Sequence, residues 1–166
     1  VNSHWWDASQ IYGASADEQR GLRSGERGRL LTDVPRDADT MPGFWIGLAM
    51  LQKLFAAEHN AICDMLHAKH PPWSDEELFQ RARLINAALL AKIHTVEWTP
   101  AVISHPTTVA AMNANWFGLA GERVHKLFGR ISASEVVSGI PGSRTDHFGV
   151  PFALTEELWP STGCTR

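Results

Sequence analysis

From Pro42 to about Ala68 the apolar residues Trp45, Leu48, Leu51, Phe55, Ile62 and Leu66 recur mostly three, four or seven apart, the spacing that keeps side chains on one helix face. This predicts a helix beginning near Thr40 and Pro42, since a proline in the first turn gives up no hydrogen bond. It ends at His70-Pro71-Pro72-Trp73, because proline has no amide proton to donate. Ser74-Asp75-Glu76-Glu77 then has the form of a capping box, in which hydroxyl and carboxylate satisfy each other's backbone amides. Leu78, Ala82, Ile85, Leu89, Ile93 and Val96 run down one face of the helix it opens. Pro100 is expected to bend or end that helix near Trp98-Thr99. Two amphipathic helices with so short a join predict an antiparallel hairpin.

Outside this hairpin the pattern weakens. Residues 1–13 end in a loop or turn at Tyr12-Gly13, and residues 14–41 form a polar surface connection with at most a short helical turn. Ala110 to about Phe128 is helical in pieces, broken around Gly118 and Gly121, and residues 129–150 are a loop region. With no internal repeat and no convincing alternation, the fold class is mainly α.

Composition narrows the setting. The 166 residues suit one domain or a piece of a larger one. A net charge of −3 supplies no basic field, which argues against a nucleic-acid partner. Cys63 and Cys164 make no disulfide framework, so an intracellular, reducing setting is expected. The apolar stretch from Phe44 to Ala57, interrupted by Gln52 and Lys53, is too short to span a bilayer. No signal peptide is visible, and a peripheral membrane surface stays open as a partner. The chain opens at Val1, directly inside the dense stretch NSHWWDASQIYG, which reads as a fragment.

Four constellations carry chemistry, each set against a plainer explanation. His59, Cys63 and His67 share a helix face, but eight residues of helix span about 12 Å, too far for three ligands on one ion; packing and hydrogen bonding is favoured. Ser3, Trp5, Asp7 and Ser9 alternate, so an extended loop would project two hydroxyls, a carboxylate and a carbonyl to one side, the hard donors Ca²⁺ takes. Taken alone, a polar turn is the better account. Glu58-His59-Asn60 places polar groups in an apolar helix, where they would bond neighbouring elements. His94 and Thr99 lie five apart, which does not share a face of a straight helix, although the turn before Pro100 could bring both toward one anion. There is no glycine-rich phosphate loop and no nucleophile elbow.

Taken in order, WWDASQIYG, LFAAEHNAICDML and WSDEELFQRARLINAALLAKIH resemble the animal-type haem peroxidase superfamily, which also contains the cyclooxygenases. AKIHTVEWT, MNANWFGLAGERVHKLFG and HFGVPFALTEEL are similar to the fatty-acid α-dioxygenases within it. The resemblance covers nearly the whole chain up to Leu158 and corresponds to the middle of a longer protein. It implies a helical fold around haem b, and a calcium site supplied by Ser3, the Trp5 carbonyl, Asp7 and Ser9. It implies that His94 and Thr99 hold a fatty-acid carboxylate with an arginine from elsewhere, while Glu58, His59 and Asn60 are scaffold near the haem pocket. The implied reaction inserts O2 at the carbon next to the carboxylate through a tyrosyl radical. The distal histidine, radical tyrosine and proximal haem histidine of that family have no counterpart here, so this chain is expected to bind no haem and catalyse nothing by itself.

The tail sharpens that expectation. Relatives continue with a run like valine-alanine-valine-tyrosine-arginine-methionine-histidine-proline. Written in GC-rich codons as GTG GCC GTC TAC CGG ATG CAC CCG and read without the first base, it gives Trp159-Pro160-Ser161-Thr162-Gly163-Cys164-Thr165. Residues 1–158 are therefore expected to be a partial haem peroxidase domain and 159–166 an out-of-frame tail. The coding DNA near Leu158 decides it: a second frame without the tyrosine and histidine would end the idea. Two other functions fit less of the chain: a peroxidase or other fatty-acid dioxygenase of the superfamily, and a non-catalytic helical module binding lipid or protein.

Overall fold

A computed structural model describes residues 8–32 and 45–144. Its elements are helical: α1 (Ser9–Tyr12), α2 (Ala16–Leu22), α3 (Ile46–Lys69), α4 (Asp75–Ile93), a π-helical turn (His94–Trp98), α5 (Thr99–Val102), α6 (Pro106–Phe117), α7 (Gly121–Phe128) and α8 (Glu135–Ser138). The one extended pairing among the described residues is an isolated antiparallel bridge between Arg23 and Leu30. The mainly α expectation holds. Within the described residues no helix is long and apolar enough to cross a membrane.

Two compact units divide the chain, and the division falls within α4, after Ala88. In the first, Ile62, Cys63 and Leu66 of α3 pack with Leu78 and Ala82 of α4, and Trp73 lies against them. The join between the helices is set locally. The His70 amide closes α3 on the Leu66 carbonyl at 2.8 Å, and the His70 ring stacks on Trp73 at 4.0 Å. The Ser74 hydroxyl then accepts from the Glu77 amide at 3.3 Å, while the Glu77 carboxylate accepts from the Ser74 amide at 3.0 Å. The capping box is thus formed as its sequence requires.

In the second unit, α6 packs on the π-turn, α7 and α8. The break at Gly118 separates α6 from α7, as expected, and the chain crosses itself there. The Leu119 and Ala120 amides donate to the Val136 and Val137 carbonyls, and the Ile140 amide to Trp116. The expected loop at 129–150 therefore contains a four-residue helix, α8, that this crossing holds in place.

Several expectations are corrected. Trp45 caps α3, four residues or so past the expected start, and Thr40 and Pro42 lie outside the described residues. On α3, Trp45 and Leu51 are exposed, whereas Gln52, His59, Asn60 and Cys63 are buried. On α4, Ile85 is exposed, and the buried face is Leu78, Phe79, Ala82 and Asn86. Both shifts have one cause: the two helices close on a polar cluster as well as on an apolar stripe. Residues 14–32 are not simply a surface connection either, since Gly28 and Leu30 are buried. Pro100 does not end the helix, because the backbone widens to a π-turn before it and α5 continues to Val102.

Candidate functional site

Two places concentrate the chemistry. The first is built around His59, fully buried on α3. Its Nε2 lies 2.8 Å from the Gly28 carbonyl, which can only accept, so Nε2 carries the proton. Nδ1 is then the acceptor, and the Tyr12 hydroxyl donates to it at 3.0 Å. The same hydroxyl accepts from Asn86 Nδ2 at 2.9 Å, and Asn86 also donates to the Phe55 carbonyl at 3.0 Å. Tyr12, His59 and Phe79 meet edge to face, with centroids 5.3–5.9 Å apart. That geometry suits the ring quadrupoles.

The loop through residues 23–30 closes over this cluster. Asn60 Oδ1 accepts from the Leu30 amide at 2.8 Å and its Nδ2 donates to the Leu30 carbonyl at 3.0 Å. Cys63 Sγ donates to the Gly28 carbonyl at 3.4 Å. The Gly28 amide donates to Asp75 Oδ1 at 2.6 Å. Arg23 pairs with Asp75 and Glu76 and lies over the Phe79 ring, 4.2 Å from its centroid. Each buried polar group of the loop thereby meets a side chain of α3 or α4, as burial demands. Glu58, the third residue of the expected scaffold trio, is exposed.

Burial sets the charge states. It pushes the Tyr12 hydroxyl and the Cys63 thiol up to about 12, which keeps both protonated. Burial, then the Arg23 charge, lowers His59 below the ordinary histidine value of 6.5. The sign of the consequence is definite. The unfolded chain takes up the proton near 6.5 while the folded chain resists it to lower pH, so stability present above 6.5 is lost as pH falls below it. The melting temperature should therefore drop from neutral pH toward about pH 5.5, and His59→Gln should flatten that slope. Parallel pH profiles of the two proteins would refute this.

The second place is the π-turn. Read as an α-helix, His94 and Thr99 stand about 140° apart around the axis. The widened turn changes this: the Thr99 amide donates to the His94 carbonyl, and the Thr99 hydroxyl donates to that carbonyl too, at 2.7 Å. The His94 ring stacks on Trp98 at 5.2 Å, and partial burial lowers its pKa from 6.5. π-turns are uncommon and often sit at functional sites. In the sequence this turn is marked only by Pro100, whose missing amide disturbs the α ladder here.

Ser3, Trp5 and Asp7 of the expected calcium site lie outside the described residues, and Ser9 is buried at the start of α1. Of the His59, Cys63 and His67 set, Cys63 Sγ sits 3.4 Å from His59 Nε2 in packing contact. Among the described residues no three metal-binding side chains converge. Tyr12, Gly28 and Asn86 were not expected to be functional; their signals were a tyrosine before a glycine and an asparagine inside an apolar stripe.

The family model for animal haem peroxidase matches residues 1–44 and 38–150. The chain belongs to the animal haem peroxidase family. Within that family, it is 37% identical over 165 residues to the alpha-dioxygenase PIOX of Nicotiana tabacum, covering 93% of this chain and 26% of that protein. It is 38% identical over 170 residues to the alpha-dioxygenase PIOX of Oryza sativa, covering 95% and 27%. Among solved structures, the Oryza sativa fatty acid alpha-dioxygenase with palmitic acid matches with a TM-score of 0.81 at 36% identity, over 95% of this chain and 28% of that one. The chain spans about a quarter of the length of these relatives. Both tiers of the sequence resemblance are borne out. Haem, which the family implies, needs an axial ligand. His59, the histidine most deeply buried among the described residues, has both nitrogens engaged and does not fit that role. No described residue is assigned to the iron.

Proposed function

We propose that the chain is part of a haem-dependent fatty-acid α-dioxygenase, and that its own contribution is to anchor the substrate carboxylate through His94 and Thr99. The π-turn carries this proposal: it seats the Thr99 amide and hydroxyl on the His94 carbonyl, a register an α-helix would not give, in a chain similar to α-dioxygenases along most of its length. A carboxylate only accepts hydrogen bonds, and it would take over the Thr99 hydroxyl proton now given to the His94 carbonyl. His94, kept neutral by its environment at neutral pH, supplies one ring N–H. An anchored carboxylate fixes which carbon is presented for reaction, so oxygen insertion beside it is a matter of positioning. Calcium at Ser3, Trp5, Asp7 and Ser9 remains part of the same proposal and rests on the resemblance alone.

Binding of palmitate to the 166-residue chain tests the anchor without needing turnover. Palmitate should bind about tenfold or more tighter than its methyl ester, a difference of about 1.4 kcal/mol. His94→Ala and Thr99→Val should each remove most of that preference. Equal binding of acid and ester, unchanged in both variants, would sink the assignment.

A further inference from the structure

Tyr12 is the one tyrosine of the chain, it is fully buried, and the proposed carboxylate anchor does not use it. Its hydroxyl touches a single base. Asn86 Nδ2 only donates to it, Phe79 offers a ring edge, and the Arg83 guanidinium lies 5.7 Å from the ring centroid. His59 Nδ1, 3.0 Å away, is in the acceptor state because Nε2 is committed to the Gly28 carbonyl. A phenol hydrogen-bonded to an imidazole is arranged for oxidation with concerted loss of its proton.

We propose that Tyr12 and His59 form a reversible one-electron redox pair, a store for a single oxidising equivalent inside the helical scaffold. The step balances as follows. A high-potential one-electron oxidant outside the pair, of the kind peroxide-driven oxidation produces, takes one electron from the Tyr12 ring. The phenolic O–H bond breaks and its proton moves to His59 Nδ1. The products are a neutral phenoxyl radical and an imidazolium, and the oxidant is reduced by one electron. A phenol radical cation is a strong enough acid to protonate even an imidazole weakened by burial. Asn86 Nδ2–H stays as a donor to the phenoxyl oxygen. Nε2 faces the Gly28 carbonyl and the Cys63 thiol, and that thiol gives its own hydrogen to the same carbonyl, so the proton is led nowhere beyond this buried group. It therefore returns to Tyr12 when the radical is reduced, which makes the pair self-resetting. This inference is independent of the fatty-acid assignment, and its test uses neither haem nor substrate.

The test is photochemical oxidation of the full chain by a ruthenium(III) complex, followed by electron paramagnetic resonance. Because there is one tyrosine, any phenoxyl spectrum reports Tyr12. The expected result is a phenoxyl signal that Tyr12→Phe abolishes and His59→Gln lowers several-fold, with circular dichroism checking that both variants fold. Should a variant fail to fold, electron–nuclear double resonance on the unmodified chain decides. An exchangeable proton at hydrogen-bond distance together with coupling to isotope-labelled histidine nitrogen supports the pair, and absence of both overturns it. Only tryptophan or thiyl signals, or an undiminished phenoxyl yield in folded His59→Gln, would also overturn it.

Discussion

Gly28→Ala should unfold the first unit more readily than any other single methyl addition among its described glycines. Gly28 has φ +71°, and a Cβ built there would stand 2.5 Å from the Phe79 amide nitrogen and 2.9 Å from Leu78 backbone and side-chain carbons. Left-handed backbone costs a non-glycine residue about 1–2 kcal/mol. The contact adds more, because the opposing atoms belong to the backbone of α4 and cannot swing aside. Displacing Gly28 also loosens the hydrogen bonds from His59, Cys63 and to Asp75. We expect a loss of about 3 kcal/mol or more, which puts it among the larger single-residue effects. Gly25→Ala is the control: its φ is +77° but nothing lies within 4 Å, so it carries the backbone strain alone. Thermal melts of the two proteins should differ by several degrees; equal melting temperatures would mean that the close approach of loop and helix does not matter.

Asn60→Leu should be nearly as damaging, for a different reason. The side chain of Asn60 satisfies both the amide and the carbonyl of buried Leu30. Leucine has similar bulk but offers neither partner. Each buried group left unpaired costs about 1–3 kcal/mol. Asn60→Gln keeps the amide but shifts it by a methylene, and should lie between wild type and Asn60→Leu in urea denaturation. Full stability in Asn60→Leu would show that water replaces the lost partners.

What the sequence made legible was local. The capping box at Ser74, the stop at Pro71-Pro72 and the break at Gly118 depend on neighbours a few residues away, and each formed as its residues require. Glu58-His59-Asn60 was legible as buried polar chemistry for two of its three residues. What was not legible is long-range. Gly28 reads as an ordinary loop glycine because its partners, His59, Cys63 and Asp75, are distant in sequence. The buried face of α4 is hidden in the sequence because Asn86 looks like a solvent residue, yet inside the fold its Nδ2 donates to the Tyr12 hydroxyl and the Phe55 carbonyl. Apolar counting alone could not choose between Phe79 and Ile85, since either fits a helical stripe.

The π-turn has a consequence for how this chain can change. The nearness of His94 and Thr99 is encoded in chain length more than in side chains, because it depends on one surplus residue between Ile93 and Pro100. Away from Pro100, point substitutions alter what the two positions offer more than where they stand. Deleting one residue would let α register run through and carry the position now held by Thr99 to another side of the helix. The arrangement is thus robust to substitution outside Pro100 and fragile to insertion or deletion.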